Sequence, residues 1–220
     1  RVIQFIEHYC KTPSGAKVGL AIKLEPFQKK FIRDIYDNKT GTRRAYLCVA
    51  RKNGKTALIA CLVLVHLVGP EAKRNAQIIS GALSREQAAI VYDLASKMVA
   101  QSKELREIIR EVPSSKKLIG VPLNTEYRAI SAEGKTAHGL SPVLAIIDEA
   151  GQIRGPQSDF VDAITTSQGA HDEPLLMVIS TQAPNDNDLL SIWLDDAQTS
   201  GDKRIVSHVY QASKECDLGD

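Results

Sequence analysis

The seven residues from Ala50 to Thr56 read Ala-Arg-Lys-Asn-Gly-Lys-Thr, and their types suit the binding of phosphate groups. A strand-like apolar run, 45–49, precedes them, and an apolar run of helical length, 57–68, follows. A strand, a tight turn with Gly-Lys-Thr and a helix form the layout of a phosphate-binding loop. Such a turn presents backbone N–H groups and the positive end of a helix to a phosphate. Lys55 would reach the β- and γ-phosphates and the Thr56 hydroxyl would bind Mg²⁺, so the sequence predicts a nucleoside triphosphatase.

The match to the usual loop pattern, G-x-x-x-x-G-K-[ST], is incomplete because Val49 stands where the first glycine is expected. A second Gly-Lys-Thr occurs at 134–136, after a predicted strand at 127–131. The residues that follow it, 137–142, have the composition of a loop rather than a helix. We therefore interpret the second copy as unrelated to nucleotide binding.

A second group of chemically capable residues is the acidic pair Asp148-Glu149, which ends the apolar run 144–147. Phosphoryl transfer to water requires a metal ion and a positioned nucleophile. Asp148, at the end of a strand, suits the Mg²⁺ shell, through a bridging water, and Glu149 suits polarising the attacking water. The alternative interpretation is a solvated acidic turn.

A third apolar run, 175–179, ends in the small polar residues Ser180, Thr181 and Gln182. Side chains in this position can sense the γ-phosphate. An ordinary turn before Pro184 is an equally open interpretation.

The surrounding pattern alternates strands with helices, which predicts an α/β fold with a mainly parallel sheet. Ligands on such sheets collect at the carboxyl ends of the strands, where the loop and the acidic pair both lie. The predicted helices are 2–9, 25–36, 57–68, 84–100, 104–110, 160–167 and 188–198. The predicted strands are 45–49, 76–80, 118–121, 127–131, 143–147, 175–179 and 204–210.

The composition is that of an ordinary globular chain of 220 residues, with 28 basic and 26 acidic side chains. The four cysteines are far apart and form no C-x-x-C pair, which predicts a reduced, cytoplasmic protein without a zinc site. No apolar run is long enough to span a membrane. We predict one domain, with an N-terminal appendage (1–23), a core (24–210) and a tail (211–220) that leads toward a further domain.

Taken in order, four motifs resemble those of the ATPase domain of tailed-phage terminase large subunits, the motors that package double-stranded DNA. The segment 24–28 resembles the adenine-recognition motif. The loop 50–56 resembles a deviant Walker A that lacks the first glycine and carries an arginine, here Arg51. The segment 146–150 resembles Walker B with its catalytic glutamate, and 180–182 resembles the coupling motif.

The resemblance implies a P-loop NTPase fold of the additional-strand, catalytic-glutamate type that binds ATP and Mg²⁺. It implies double-stranded DNA, a portal and a small terminase subunit as partners, a homo-oligomeric ring, and a location in the infected host cell. It implies adenine contact by Gln28, phosphate contact by 51–56, metal binding by Thr56 and Asp148, catalysis by Arg51, Lys55 and Glu149, and coupling by Ser180, Thr181 and Gln182.

The same resemblance implies a cation that acts on the nucleotide of a neighbouring subunit. Arg128, Lys135 and Arg154 are candidates, and 131–139 is the expected interfacial loop. Nuclease activity is not predicted, because Asp195-Asp196 and 217–220 are too local to form a two-metal site.

Two other functions stay open from the sequence. A two-lobed helicase would need a second motor lobe, and in that class the acidic pair is followed by Ala-Asp or Ala-His, whereas here Ala150-Gly151 follows. A nucleotide-gated assembly module without turnover would have no use for Glu149. Phosphate release with and without double-stranded DNA separates the enzyme from the module.

Overall fold

A computed structural model describes residues 1–133 and 139–210 of the chain, and these form seven α-helices and eight strands. The helices are α1 (Val2–Tyr9), α2 (Pro26–Tyr36), α3 (Lys55–Leu67), α4 (Arg85–Gln101), α5 (Lys103–Ile108), α6 (Asp159–Ser167) and α7 (Leu189–Thr199). The strands are β1 (Arg44–Cys48), β2 (Gln77–Ala82), β3 (Ile109–Val112), β4 (Lys117–Gly120), β5 (Thr125–Ser131), β6 (Pro142–Asp148), β7 (Leu175–Ser180) and β8 (Ile205–Val209).

The strands form one sheet in the order β3-β4-β5-β2-β6-β7-β1-β8. Strands β5, β2, β6, β7, β1 and β8 are parallel to their neighbours within this group, whereas β3 and β4 pair antiparallel at one edge. The predicted α/β fold with a mainly parallel sheet is therefore confirmed. The segments predicted as strands at 118–121 and 127–131 correspond to β4 and β5, which pair antiparallel with each other.

The sheet separates two apolar cores because successive side chains of a strand point to opposite faces. In β1, Ala45 and Leu47 face the core that contains α1 to α5, whereas Tyr46 and Cys48 face the core that contains α6 and α7. Burial on both faces explains why the central strands are continuous apolar runs in the sequence.

Helix α3 lies deep in the first core, and every residue from Leu58 to Leu67 is buried. Helix α1 also packs there, through Val2 and Ile6. In the described part of the chain, no helix combines the length and the apolar character that crossing a membrane requires.

The prediction of a helix at 104–110 was wrong at its end. Helix α5 ends at Ile108, and Ile109 begins β3, which pairs antiparallel with β4. Ile109 and Val112 are β-branched residues that favour a strand once a partner is present. This pairing lies in tertiary structure, so the local helical pattern did not reveal it.

His66, on α3, is a buried histidine whose Nε2 lies 2.8 Å from the Tyr36 hydroxyl oxygen. Burial, helped by the charge of Lys73, lowers the pKa of His66 from 6.5 to about 3. The imidazole therefore stays neutral in the folded protein down to a pH of about 3, whereas in the unfolded chain the same imidazole takes up a proton once the pH falls below about 6.5.

We expect His66 to lower the free energy of unfolding as the pH falls from about 6.5 toward 3. By pH 5 the free energy of unfolding should be lower by about 2 kcal/mol because of His66, from the slope that links proton uptake to stability. Urea unfolding of the wild type and of His66→Gln at pH 7.5 and pH 5 measures this, and the variant should lose less stability on acidification. His8→Gln, at an exposed position on α1, serves as the control; equal losses in wild type and His66→Gln would contradict the interpretation.

Candidate nucleotide-binding site

The loop between β1 and α3 has the conformation that a phosphate-binding turn needs. Gly54 adopts a left-handed conformation (φ 71°) at the N-terminus of α3, and Lys52 does so as well (φ 66°). The Asn53 amide nitrogen donates to the carbonyl oxygens of Ala50 and Arg51, both at 3.2 Å, and braces the turn. The free N–H groups of the first turn of α3 therefore face the cleft above the loop.

Val49 takes the place of the missing first glycine without strain. Its N–H donates to the carbonyl oxygen of Ser180 at 3.1 Å, which continues the pairing of β1 with β7, and its side chain is buried in the first core. Among the described residues, Val49 is not one of those with a positive φ. A glycine is therefore not required at this position of the loop.

Lys55 is buried, and its ammonium group lies between the two motifs. Its Nζ donates to the carbonyl oxygens of Ala50 (3.2 Å) and Val49 (3.4 Å) and lies 3.9 Å from Glu149 Oε1. A buried ammonium group needs such partners, because removing it from water is costly. The loop and the acidic pair thus meet at one charged group.

Asp148 ends β6 and is buried, and its Oδ1 has no hydrogen-bond partner among the described residues. Burial, followed by the negative charge of Glu149, raises the pKa of Asp148 from 3.8 to about 6. An orphaned carboxylate oxygen beside the loop fits a hard cation such as Mg²⁺, which prefers oxygen ligands. Thr56, in the first turn of α3, lines the same cleft and offers a hydroxyl oxygen.

Glu149 follows in a left-handed conformation (φ 54°) that turns its side chain toward the cleft. Its Oε2 accepts a hydrogen bond from Thr181 Oγ1 at 3.3 Å, while its Oε1 faces Lys55. A non-glycine residue in this conformation costs free energy, and such residues are concentrated at functional sites.

The ends of β6 and β7 interlock through Ser180 and Gly151. The buried Ser180 hydroxyl donates to the Thr181 carbonyl oxygen (2.6 Å) and accepts from the Gly151 N–H (2.8 Å). A Cβ atom at position 151 would lie 2.4 Å from the Thr181 carbonyl oxygen, so only glycine fits. Gln182 is exposed and, unlike Thr181, makes no side-chain hydrogen bond to the acidic pair.

The cleft above these groups has a volume of about 370 Å³. It brings together Arg51, Lys52, Gly54, Lys55, Thr56, Asp148 and Glu149. It also includes Gln87 and Ile90 of α4 and Gln152, which the sequence did not indicate. The Gln87 side-chain nitrogen donates to Gln152 Oε1 at 3.4 Å. Nothing in the local sequence links Gln87 to the cleft, since α4 reaches the cleft only through packing.

Gln28 is buried at the start of α2, and its side-chain oxygen accepts from the Glu25 N–H at 3.0 Å as part of a capping box. Its amide nitrogen would lie 3.6 Å from a Cβ atom at Gly54, which places it beside the loop. Two of the three cations predicted to act on a neighbouring subunit form ion pairs within the chain. Arg128 Nη2 lies 3.7 Å from Glu126 Oε1, and Arg154 Nη1 lies 3.4 Å from Asp188 Oδ2. Lys135 and the second Gly-Lys-Thr lie outside the described residues.

Comparison with known proteins gives a matching family model and a curated relative. The family model described as "Terminase large subunit, ATPase domain" matches residues 26–197. The large terminase subunit of Enterobacteria phage HK97 is 64% identical over 218 residues, which are 99% of this chain and 43% of that protein. The chain therefore spans less than half the length of this curated relative.

Solved structures of large terminases have the same fold as this chain. The crystal structure of the HK97 bacteriophage large terminase matches with a TM-score of 0.94 and 63% identity, over 100% of this chain and 45% of that one. The large terminase of a thermophilic bacteriophage, in complex with ADP, matches with a TM-score of 0.62 over 86% of this chain and 46% of its own. At 10% identity, this second match supports the fold alone.

We expect Gly151→Ala to destabilise the protein by about 2 kcal/mol, because the added methyl group would force apart the ends of β6 and β7. Urea unfolding measures the loss. Gly169→Ala is the matched control, since no atom lies within 4 Å of its added Cβ. Equal stabilities for the two variants would contradict the close packing at position 151.

Proposed function

The chain belongs to the family of terminase large-subunit ATPase domains, and from this premise we propose that it hydrolyses ATP to move double-stranded DNA in a viral packaging motor. Membership agrees with the resemblance found in the four sequence motifs. Because the chain spans only part of its relatives, the activity of the whole motor is part of the proposal. The observation that carries it is the 3.9 Å approach of Lys55 Nζ to Glu149 Oε1 in one cleft.

Phosphate binding would use the loop and its cations. A triphosphate on the first turn of α3 would receive N–H groups from the loop and the helix N-terminus. Lys55 would exchange its weak contacts with the Val49 and Ala50 carbonyl oxygens for the β- and γ-phosphates. Arg51 and Lys52, both exposed at the rim of the cleft, would add positive charge near the γ-phosphate, and we assign Arg51 a catalytic role there.

Thr56 and Asp148 would hold Mg²⁺, which would neutralise phosphate charge when bound. The unpartnered Oδ1 of Asp148 supports this assignment. In the described part of the chain no group of three or more His, Cys, Asp or Glu side chains could hold a metal ion. This is compatible with Mg²⁺, because it takes most of its ligands from phosphates and waters and few from protein.

Glu149 would orient and polarise the attacking water. Its Oε1 lies beside Lys55 in this structure, and a bound γ-phosphate would draw the ammonium group away from it. The Thr181 hydroxyl donates to Oε2 and would hold the carboxylate in place. Glu149 is then free to accept a proton from water at Oε1.

The same contacts suggest how the coupling motif acts. Ser180 fixes the backbone next to Glu149 through Gly151, and Thr181 contacts the Glu149 carboxylate itself. A change at the γ-phosphate that moves Glu149 would therefore move the end of β7. We assign Ser180, Thr181 and Gln182 to transmission of this change toward the DNA, and Gln28 to contact with adenine.

The partners that the motor would need are double-stranded DNA, further copies of this chain in a ring, a portal and a small terminase subunit, in the cytoplasm of an infected cell. The cation supplied by a neighbouring copy stays a prediction, with Lys135 as its first candidate. Nuclease activity is not part of the proposal for these residues.

A two-lobed helicase is less compatible with the site. Its Ala-Asp or Ala-His would place a side chain at position 151, where a Cβ atom alone would come within 2.4 Å of the Thr181 carbonyl oxygen. A nucleotide-gated module without turnover would not need Glu149 poised between Lys55 and Thr181.

Lys55→Ala should abolish ATP hydrolysis, because the γ-phosphate loses its main cation. Glu149→Gln should bind ATP within about threefold of the wild-type affinity yet hydrolyse it at least ~10²-fold more slowly, as expected for loss of a general base. Phosphate release with and without double-stranded DNA measures both effects. Lys97→Ala and Glu86→Gln, exposed on α4, are charge-matched controls, and near-normal turnover by Lys55→Ala would refute the assignment.

Thr181→Val keeps the shape of the side chain but removes the hydrogen bond to Glu149. We expect hydrolysis to fall about tenfold at unchanged ATP affinity, because the carboxylate loses an orienting contact. Thr181→Ser retains the hydroxyl and should restore most of the activity. Equal turnover in the valine and serine variants would show that the hydroxyl does not position Glu149.

A further inference from the structure

A second cavity adjoins the phosphate cleft and has a volume of about 1110 Å³. Lys52, Gly54 and Ala57 line both spaces, so the two meet at the loop. A nucleotide whose phosphates lie on the loop has room for its sugar and base in this second cavity. One wall of this cavity is supplied by residues before α2, from the segment predicted above as an appendage.

This wall is a hairpin formed by residues 11–21, which the backbone holds in a fixed position. The N–H of Thr12 donates to the Leu20 carbonyl oxygen at 2.8 Å, and the N–H of Gly19 donates to the Thr12 carbonyl oxygen at 3.0 Å. The N–H of Ile22 donates to the carbonyl oxygen of the buried Cys10 at 3.0 Å, which ties the hairpin to the first core. The hairpin therefore presents its side chains in a defined geometry.

Leu20 is an apolar side chain that the protein leaves 61% exposed while it lines this cavity. Val18, on the same hairpin, is 53% exposed but does not line the cavity. Ile22, Leu24 and Leu58 extend the apolar wall on which Leu20 stands. When a ligand covers an exposed leucine with a flat apolar surface, apolar area is removed from water, which favours binding.

The cavity also has polar residues in its lining, and Gln28 is the one beside the loop whose side-chain contacts are defined. The side-chain oxygen of Gln28 accepts from the Glu25 N–H, while its amide nitrogen, a donor, lies beside the loop at Gly54. The cavity thus combines an apolar wall with a hydrogen-bond donor beside the loop. That combination suits a heteroaromatic base, which has apolar faces and ring-nitrogen acceptors at its edge.

We propose that Leu20 is a platform for the base of the bound nucleotide, and that the hairpin 11–21 is therefore part of the nucleotide site. The proposal rests on the proposed function, since it needs a triphosphate on the loop. Leu20 positions the substrate and does not contact the reacting atoms. Contact with a ring face contributes to affinity whatever groups the base carries at its edge, so Leu20 strengthens binding of ATP and GTP alike.

Isothermal titration of the protein with ATP, GTP and inorganic tripolyphosphate tests this role. Leu20→Ser should raise the Kd for ATP and for GTP by about fivefold, from the loss of part of one leucine's apolar contact. The Kd for tripolyphosphate, which has no base, should stay unchanged. Leu20→Phe should retain the wild-type affinity for ATP, because it keeps an apolar surface on the wall.

Val18→Ser is the matched control and should bind all three ligands as the wild type does. An unchanged ATP affinity in Leu20→Ser would overturn the proposal, and so would equal weakening of ATP and tripolyphosphate, which would place the effect on the loop. Lys55→Ala tests the proposed function separately. If this variant bound both ATP and tripolyphosphate with wild-type affinity, phosphate binding by the loop would be refuted. The comparison of ATP with tripolyphosphate in Leu20→Ser would still report on the role of Leu20.

Discussion

The buried ammonium group of Lys55 is the interaction on which the arrangement of the site depends. It belongs to the first turn of α3, donates to carbonyl oxygens of its own loop, and faces Glu149 at the carboxyl end of β6. A buried charge is tolerated only where partners surround it, so the loop and the acidic pair are held at a fixed separation. The parallel sheet supplies that separation, because β6, β7 and β1 are neighbours and end at the same edge. The proposed chemistry follows from this one meeting point.

The elements of the fold were predictable where burial determines the sequence. Strands β1, β6 and β7 are covered on both faces, so they are apolar except at their ends, and the loop and the acidic pair are visible as polar residues that follow apolar runs. The start of the helix predicted at 84–100 has a local cause, because the Ser84 side chain accepts from the Gln87 N–H and caps α4. Strand β3 was missed because its conformation depends on a partner strand rather than on its own pattern.

The details of the site were less accessible, since they depend on contacts between distant parts of the chain. The sequence shows that a glycine, Gly151, follows Ala150. The reason that a glycine is needed there is the close approach of the Thr181 carbonyl oxygen, which depends on how two strand ends pack. The same holds for the hydrogen bond from Thr181 to Glu149 and for the position of Gln87 in the cleft. Residues 11–21 carried no chemical signal at all, and only their folded position brings Leu20 to the second cavity.

The burial of α3 on all sides has a mechanical consequence. A helix enclosed from Leu58 to Leu67 cannot slide or rotate without opening gaps in a close-packed interior, so it behaves as a rigid foundation beneath the phosphates. Any displacement that hydrolysis produces above it must pass into parts that can yield. The half-exposed Thr181 at the end of β7 and the exposed Gln182 are such parts, so in the proposed function the strand end, rather than the helix, would carry motion out of the domain.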